Sequence, residues 1–219
     1  MPTKNIKTDR ETIISAYMEY TLENSKKPES VYLFTKSASI TEADFYKEFG
    51  TLQAVDKEIF TLFFLKTINL INKDPAFVAY ETKNKLLSFY FTFFEMLTMN
   101  RSYVLLTLKE HKNMLKNLSQ LSPLRNEFKN FIGEIMDDTY LLKQEKVQEI
   151  QLKGLKESAW IQFLLTLKFW MEDESAAFEK TDIYIEKSVK LSFELINIAP
   201  LDSLIDFGKF LFKEKTQRR

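Results

Sequence analysis

The 219-residue chain has no cysteine, one histidine (His111), four glycines and five prolines. Without cysteine there can be no disulfide, no thiolate nucleophile and no cysteine-ligated metal, and a reducing cytoplasm is the simplest setting. A single histidine, in the charged run Lys109-Glu110-His111-Lys112, reads as a surface residue. It leaves no zinc site of the usual N/S kind, so no metal and no cofactor are expected. Few helix breakers and few alternating β-branched runs point to an all-α fold. The charges cancel, 31 basic against 31 acidic, so no global field draws the chain to nucleic acid or to anionic membrane. No apolar run reaches the roughly 18 residues a bilayer span needs. The opening MPTKNIKTDRET lacks the apolar core of a signal peptide, so a cytoplasmic protein with no membrane partner is expected. There is no glycine-rich phosphate loop and no Gly-x-Ser-x-Gly elbow. The pair Asp137-Asp138 would point about 100° apart on a helix, a poor acid/base dyad. No catalytic residue emerges, and enzyme activity is not expected.

What the chain does have is phenylalanine, 20 copies, within an apolar fraction of 45%. Apolar periodicity places a first helix after Thr8-Asp9, with Ile13, Ile14, Tyr17, Met18, Tyr20 and Leu22 on its core side. A second starts near Pro28-Glu29-Ser30 and buries Val31, Leu33, Phe34 and Ala38. Ser39-Ile40 is a turn. Thr41 caps a third helix whose Phe45 and Phe49, four apart, share one face, and Gly50 is placed to end it. A fourth helix of about 23 residues follows from Thr51. The fifth spans about Phe77 to Met99, the sixth Arg101 to Leu118, and the seventh starts at Ser122-Pro123 and runs through Tyr140. Gly154 marks a possible break before the eighth, about Glu157 to Met171. Asp173 to Ala177 is an acidic turn, the ninth helix runs about Phe178 to Ile198, and a short tenth covers about 201 to 215. The expectation is a three-helix helix-turn-helix unit, joined by a continuous helix to a larger C-terminal bundle, with nine to ten helices in all.

The N-terminal third carries Phe34-Thr35-Lys36-Ser37-Ala38-Ser39-Ile40-Thr41, then Phe45-Tyr46-Lys47-Glu48-Phe49, then Thr51-Leu52-Gln53-Ala54-Val55. With this order of helices it resembles the TetR family of one-component regulators. It departs from the family pattern at Ser39, where a turn glycine is usual, and at Leu52, where a phosphate-binding lysine is usual. The stretch Phe169-Trp170-Met171-Glu172-Asp173-Glu174-Ser175-Ala176-Ala177-Phe178-Glu179-Lys180-Thr181 also resembles TetR-like effector domains. Its Trp-x-x-Asp-x-Ser pattern is shared with TetR-fold lipid-binding proteins that read no operator.

The resemblance implies a homodimer with a DNA-binding-like domain at 1–52 and a ligand-binding and dimerisation domain at 53–219. A hydrophobic small molecule would release operator DNA. Lys36, Thr41, Tyr46 and Lys47 are the DNA-contact candidates, with Lys4, Lys7 and Arg10 as a basic arm. Residues 1–60 nevertheless carry eight basic against ten acidic side chains, and the third helix has Glu42, Asp44 and Glu48 against Lys47 alone. A lipid- or isoprenoid-binding accessory protein of the same fold, with a helix-turn-helix that no longer binds DNA, is therefore the alternative. Phe89, Phe93, Met96, Phe128, Ile132, Trp160 and Phe163 are candidate pocket residues; an ordinary aromatic core is the competing reading. Met99, Met114 and Met136 would add adaptability. Helices eight and nine are apolar on more than one face, and by resemblance Leu164, Leu167, Trp170, Val189 and Phe193 form a dimer interface.

Overall fold

The computed structural model describes residues 9–109, 118–136 and 145–198, and all regular structure among them is helical. The readings at Lys4, Lys7, His111, Met114, Asp137-Asp138, Tyr140 and the tenth helix fall outside these residues. The chain divides into two compact units: Met1–Leu70 with Phe93–Glu127, and Ile71–Thr92 with Phe128–Arg219.

In the first unit each of three short helices starts on a polar cap that accepts from one of the unpaired first-turn N–H groups. Asp9 caps α1 (Arg10–Asn24) through Thr12 N at 2.9 Å. Ser30 caps α2 (Val31–Ser37) through Leu33 N at 3.2 Å. Thr41 caps α3 (Glu42–Glu48) through Asp44 N at 3.0 Å. The second helix thus begins at Val31, because Ser30 rather than Pro28 supplies the cap. Phe34 is the hub of the core: its ring meets Tyr17 at 5.6 Å and Phe45 at 5.9 Å, both edge to face, the geometry aromatic quadrupoles favour. Phe45 continues to Phe49 at 6.1 Å. Leu22 and Leu33 are exposed, and Thr35 takes a core position instead. The longer α4 (Leu52–Ile71) adds Val55, Ile59 and Phe60 to the buried set. The short α6 (Arg101–Leu108) packs against α1.

Two turns differ in how they end their helices. After α2, Ser39 adopts φ 55°, and Ile40 N donates to Thr35 O at 3.0 Å. This is the six-residue Schellman closure, which favours a left-handed residue at the Ser39 position. After α3, Phe49 is extended (φ −138°, ψ 132°) and Gly50 takes no positive φ. The expected glycine cap is absent because α3 ends by swinging the Phe49 ring into the core, where it is buried.

The second unit opens with a 3-10 turn, Pro75–Ala79, capped by Asp74. That turn delays α5 (Thr82–Met99), whose residues as far as Thr92 belong to this unit, beyond its expected start. Then come α7 (Ser122–Ile135), from Phe128 on, α8 (Glu145–Glu172) and α9 (Glu179–Ile198). Gly154 does not interrupt α8, which is continuous over 28 residues. A single interior glycine costs only about 1 kcal/mol, less than packing returns over so long a helix. Thr82 Oγ1 donates to Ile135 O at 2.9 Å, tying the start of α5 to an unpaired carbonyl at the end of α7.

The α8–α9 hairpin is closed by Asp173. Its Oδ1 accepts from Ser175 N (2.8 Å) and Ser175 Oγ (2.7 Å), and its Oδ2 from Thr181 N (2.9 Å) and Thr181 Oγ1 (2.6 Å). Burial pushes this carboxyl up, but the four hydrogen bonds outweigh it and hold the pKa at about 2. Between those anchors Ala177 and Phe178 sit at φ 51° and 57°, a left-handed pair that costs of order 1–3 kcal/mol per residue and persists where its surroundings over-determine it.

Candidate nucleic-acid interface and ligand cavity

The four DNA-contact candidates lie on or beside α2 and α3, and all are exposed. Tyr46, 53% exposed, rests one ring edge on Phe45 at 5.4 Å. Thr41 Oγ1, besides capping α3, donates to Asp44 Oδ2 at 2.7 Å. Lys47 pairs with Asp44 Oδ1 at 2.7 Å. The pairing holds the Asp44 carboxyl below its usual value, with help from Thr41, and raises the Lys47 ammonium. Lys36 lies 5.9 Å from the Tyr32 ring centroid, and Glu42 stands exposed at the start of the helix.

Arg10 is not available as an arm. Its Nε pairs with Glu58 at 3.2 Å, its Nη1 donates to Glu48 O at 2.8 Å, and its guanidinium sits 4.3 Å over the Phe49 ring. Glu48 O is one of the unpaired last-turn carbonyls of α3, where a cation is favoured. Arg10 therefore clamps the end of α3. The contact spans 38 residues of sequence, and no local pattern announces it.

In the second unit, Phe89, Phe128, Trp160 and Phe163 form a ring-on-ring wall. Phe89 meets Phe128 at 5.4 Å, Phe128 meets Phe163 at 5.1 Å, and Trp160 stacks on Phe163 at 5.1 Å. Phe131, which pattern reading left out of the pocket, joins Phe89 at 4.9 Å. Phe93 is fully buried and Met96 half-buried in the other unit.

A cavity of about 240 Å³ opens among α5, α7, α8 and α9. Ile132, from the candidate set, lines it. Leu86, Ile135, Met136, Leu155 and Phe193 add apolar wall, while Thr82, Ser158, Gln162 and Ser192 are the polar side chains; no charged residue is among the described lining. Periodicity could not locate it, because a residue facing a void and one facing a neighbour have the same helical spacing.

A family model described as "Tetracyclin repressor-like, C-terminal domain" matches residues 85–211, more than half the chain. The chain belongs to the tetracyclin repressor-like (TetR) family. No curated protein and no solved structure gave a match.

In this TetR-family regulator the matched segment includes the α8–α9 hairpin. Leu167, Trp170, Val189 and Phe193 are buried within the subunit, and Leu164 is half-buried. Among the described residues, the exposed large apolar side chains on these helices are Ile150, Ile161, Leu165, Ile183, Leu191 and Leu195. Among the described residues no helix is long and apolar enough to cross a membrane.

Proposed function

We propose that the chain is a ligand-responsive transcriptional regulator that binds operator DNA as a homodimer and is released by a hydrophobic small molecule. Residues 1–52 would read DNA, and residues 53–219 would bind the ligand and dimerise. The observation that supports the DNA half is the exposure of Thr41, Tyr46 and Lys47 on and before α3 and of Lys36 on α2. Exposed hydroxyls and lysines suit phosphate contact. The dimer half rests on Ile161, Leu165, Leu191 and Leu195, an exposed apolar set on two packed helices. Such a surface suits a partner of like character.

A second reading is a TetR-fold lipid- or isoprenoid-binding accessory protein without an operator. It is favoured by the carboxylates of α3, Glu42, Asp44 and Glu48, which repel phosphates on approach. Fluorescence anisotropy with DNA from upstream of the protein's own gene, at about 50 and 200 mM salt, separates the two. The regulator reading expects sequence-specific, salt-sensitive binding, and a mass near twice the chain's 25.9 kDa in sedimentation. Tyr46→Ala should weaken binding about tenfold, with a stability change under about 1 kcal/mol because the ring is half exposed. Absence of specific binding at either salt concentration would leave the accessory-protein reading standing.

A further inference from the structure

The cavity in the second unit is apolar, uncharged and hydrogen-bonding at one end. Its polar end is built by Gln162 and two serines of α9. Gln162 Nε2 donates to Ser188 Oγ at 3.3 Å, and Gln162 Oε1 lies 3.1 Å from Ser192 Oγ. Ser192 Oγ is also 2.9 Å from Ser188 O. A serine hydroxyl has one proton, so it can serve Ser188 O or Gln162 Oε1, not both. Gln162 Oε1 has two lone pairs, and at most one of them receives that proton. Ser188 Oγ already sends its proton to Ile185 O at 3.2 Å, and Thr82 Oγ1 sends its own to Ile135 O. Gln162 Oε1 thus keeps at least one lone pair unmet, while Gln162 Nε2 keeps a second N–H beyond the one it gives to Ser188. An occupant with an O–H can donate to the first and accept from the second, whereas one that brings only acceptors leaves the Oε1 lone pair unmet.

Size and charge narrow the occupant further. A dry 150 Å³ cavity takes benzene; scaled to about 240 Å³, the same packing admits roughly ten non-hydrogen atoms. A carboxylate or ammonium would enter a wall with no charged lining among the described residues, and an unpaired ion in such a site is strongly disfavoured. We infer that the cavity is a site for a neutral, aliphatic or aromatic alcohol of about this size, whose hydroxyl donates to Gln162 Oε1 while its apolar body lies against Leu86, Ile132, Ile135 and Phe193. This deepens the effector half of the reading above and rests on it.

The experiment is calorimetric titration of the full chain, without DNA, with three probes of equal heavy-atom count: nonan-1-ol, 1-methoxyoctane and octanoate. The alcohol should bind about tenfold more tightly than its ether isomer, because the ether removes the donor and leaves the Gln162 Oε1 lone pair unmet. Octanoate should be weaker still. Gln162→Leu should bring alcohol and ether within about twofold of each other, chiefly by weakening the alcohol. Ala159→Phe, which fills the cavity from α8, should abolish binding of all three while the chain still melts cooperatively; it decides the matter should Gln162→Leu fail to fold. Octanoate binding as tightly as nonanol, ether equal to alcohol in the wild type, or binding unaffected by Ala159→Phe would overturn the assignment. So would no binding of any probe. Failure of operator binding or release leaves this assignment intact, since no DNA is present. An alcohol that binds without releasing operator overturns only the regulatory reading.

Discussion

The polar side chains that join α1 to α3 and α4 in the first unit differ from those that line the cavity in the second. The former are charged, as is the Lys129–Glu157 pair that ties α7 to α8 away from the cavity lining. Arg10 joins α1 to Glu58 and to the end of α3; Lys27 pairs with Asp56 at 3.0 Å while Tyr17 donates to the same carboxylate; Lys66 reaches Glu11 at 3.3 Å. In the second unit the polar groups around the cavity are neutral, and one carboxylate, Asp173, is absorbed by a turn. The lesson concerns availability. A lysine already paired must be uncoupled before it can neutralise a phosphate, so α3 offers less to DNA than its residue types suggest. A neutral amide with a spare lone pair is ready for a ligand at once.

The comparison breaks most sharply at Asp173. Asp173→Ala should cost about 3 kcal/mol in urea unfolding, because it strands donors of Ser175 and Thr181 around a strained turn. No surface ion pair of the first unit should approach that figure. The pH dependence has a definite sign. The folded pKa is near 2 against an ordinary 3.8, so the contribution is complete above about pH 5 and fades as pH falls through 4 towards 2. Wild-type stability should therefore drop across that window with a slope that Asp173→Asn flattens. An unchanged acid slope in the Asn variant would show that other carboxylates dominate.

How legible each unit was follows from the range of its interactions. The three short helices could be placed from local signals, since Asp9, Ser30 and Thr41 cap within three residues and Phe45 and Phe49 are one turn apart. The continuity of α8 through Gly154 was hidden, because one glycine is a weak breaker and the packing that overrides it is nonlocal. The family likeness was carried by turn and aromatic spacing. The cavity was not readable in the same way: Phe89, Phe128 and Phe163 have pocket-like spacing but fill their space with one another. Arg10 shows the same limit, since a basic residue near an N-terminus looks like a DNA arm until its partners 38 and 48 residues away are known.

A middle-sized effect tests that clamp. Arg10→Met keeps an unbranched apolar side chain and removes the guanidinium that lies over Phe49 and binds Glu48 O and Glu58. It should destabilise the chain by about 1 kcal/mol, discounted from the usual charged hydrogen bond because the guanidinium is partly exposed. The loss should shrink in high salt. Lys36→Met, which removes only a distant contact to Tyr32, should change stability by less than about 0.5 kcal/mol. Equal effects of the two substitutions would remove the distinction between a clamp and an open reading face.

The smallest effect lies at the turn between α2 and α3. Ser39 holds φ 55°, which costs a non-glycine residue roughly 1–2 kcal/mol relative to its preferred regions. Glycine relieves that strain but gives back about 0.5–1 kcal/mol through the freer unfolded chain. The difference predicts that Ser39→Gly stabilises by about 0.5 kcal/mol, a rise of one or two degrees in the melting temperature for a chain of this size. The Ile40 N to Thr35 O closure should survive, because it depends on the left-handed residue and not on a side chain at that position. Ser39→Val should move the other way by more than 1 kcal/mol, since a β-branched residue is poorly suited to positive φ. Equal stability of the Gly and Val variants would mean that this turn relaxes out of the left-handed region in solution, and that α3 is held against α2 by the Phe34–Phe45 contact instead.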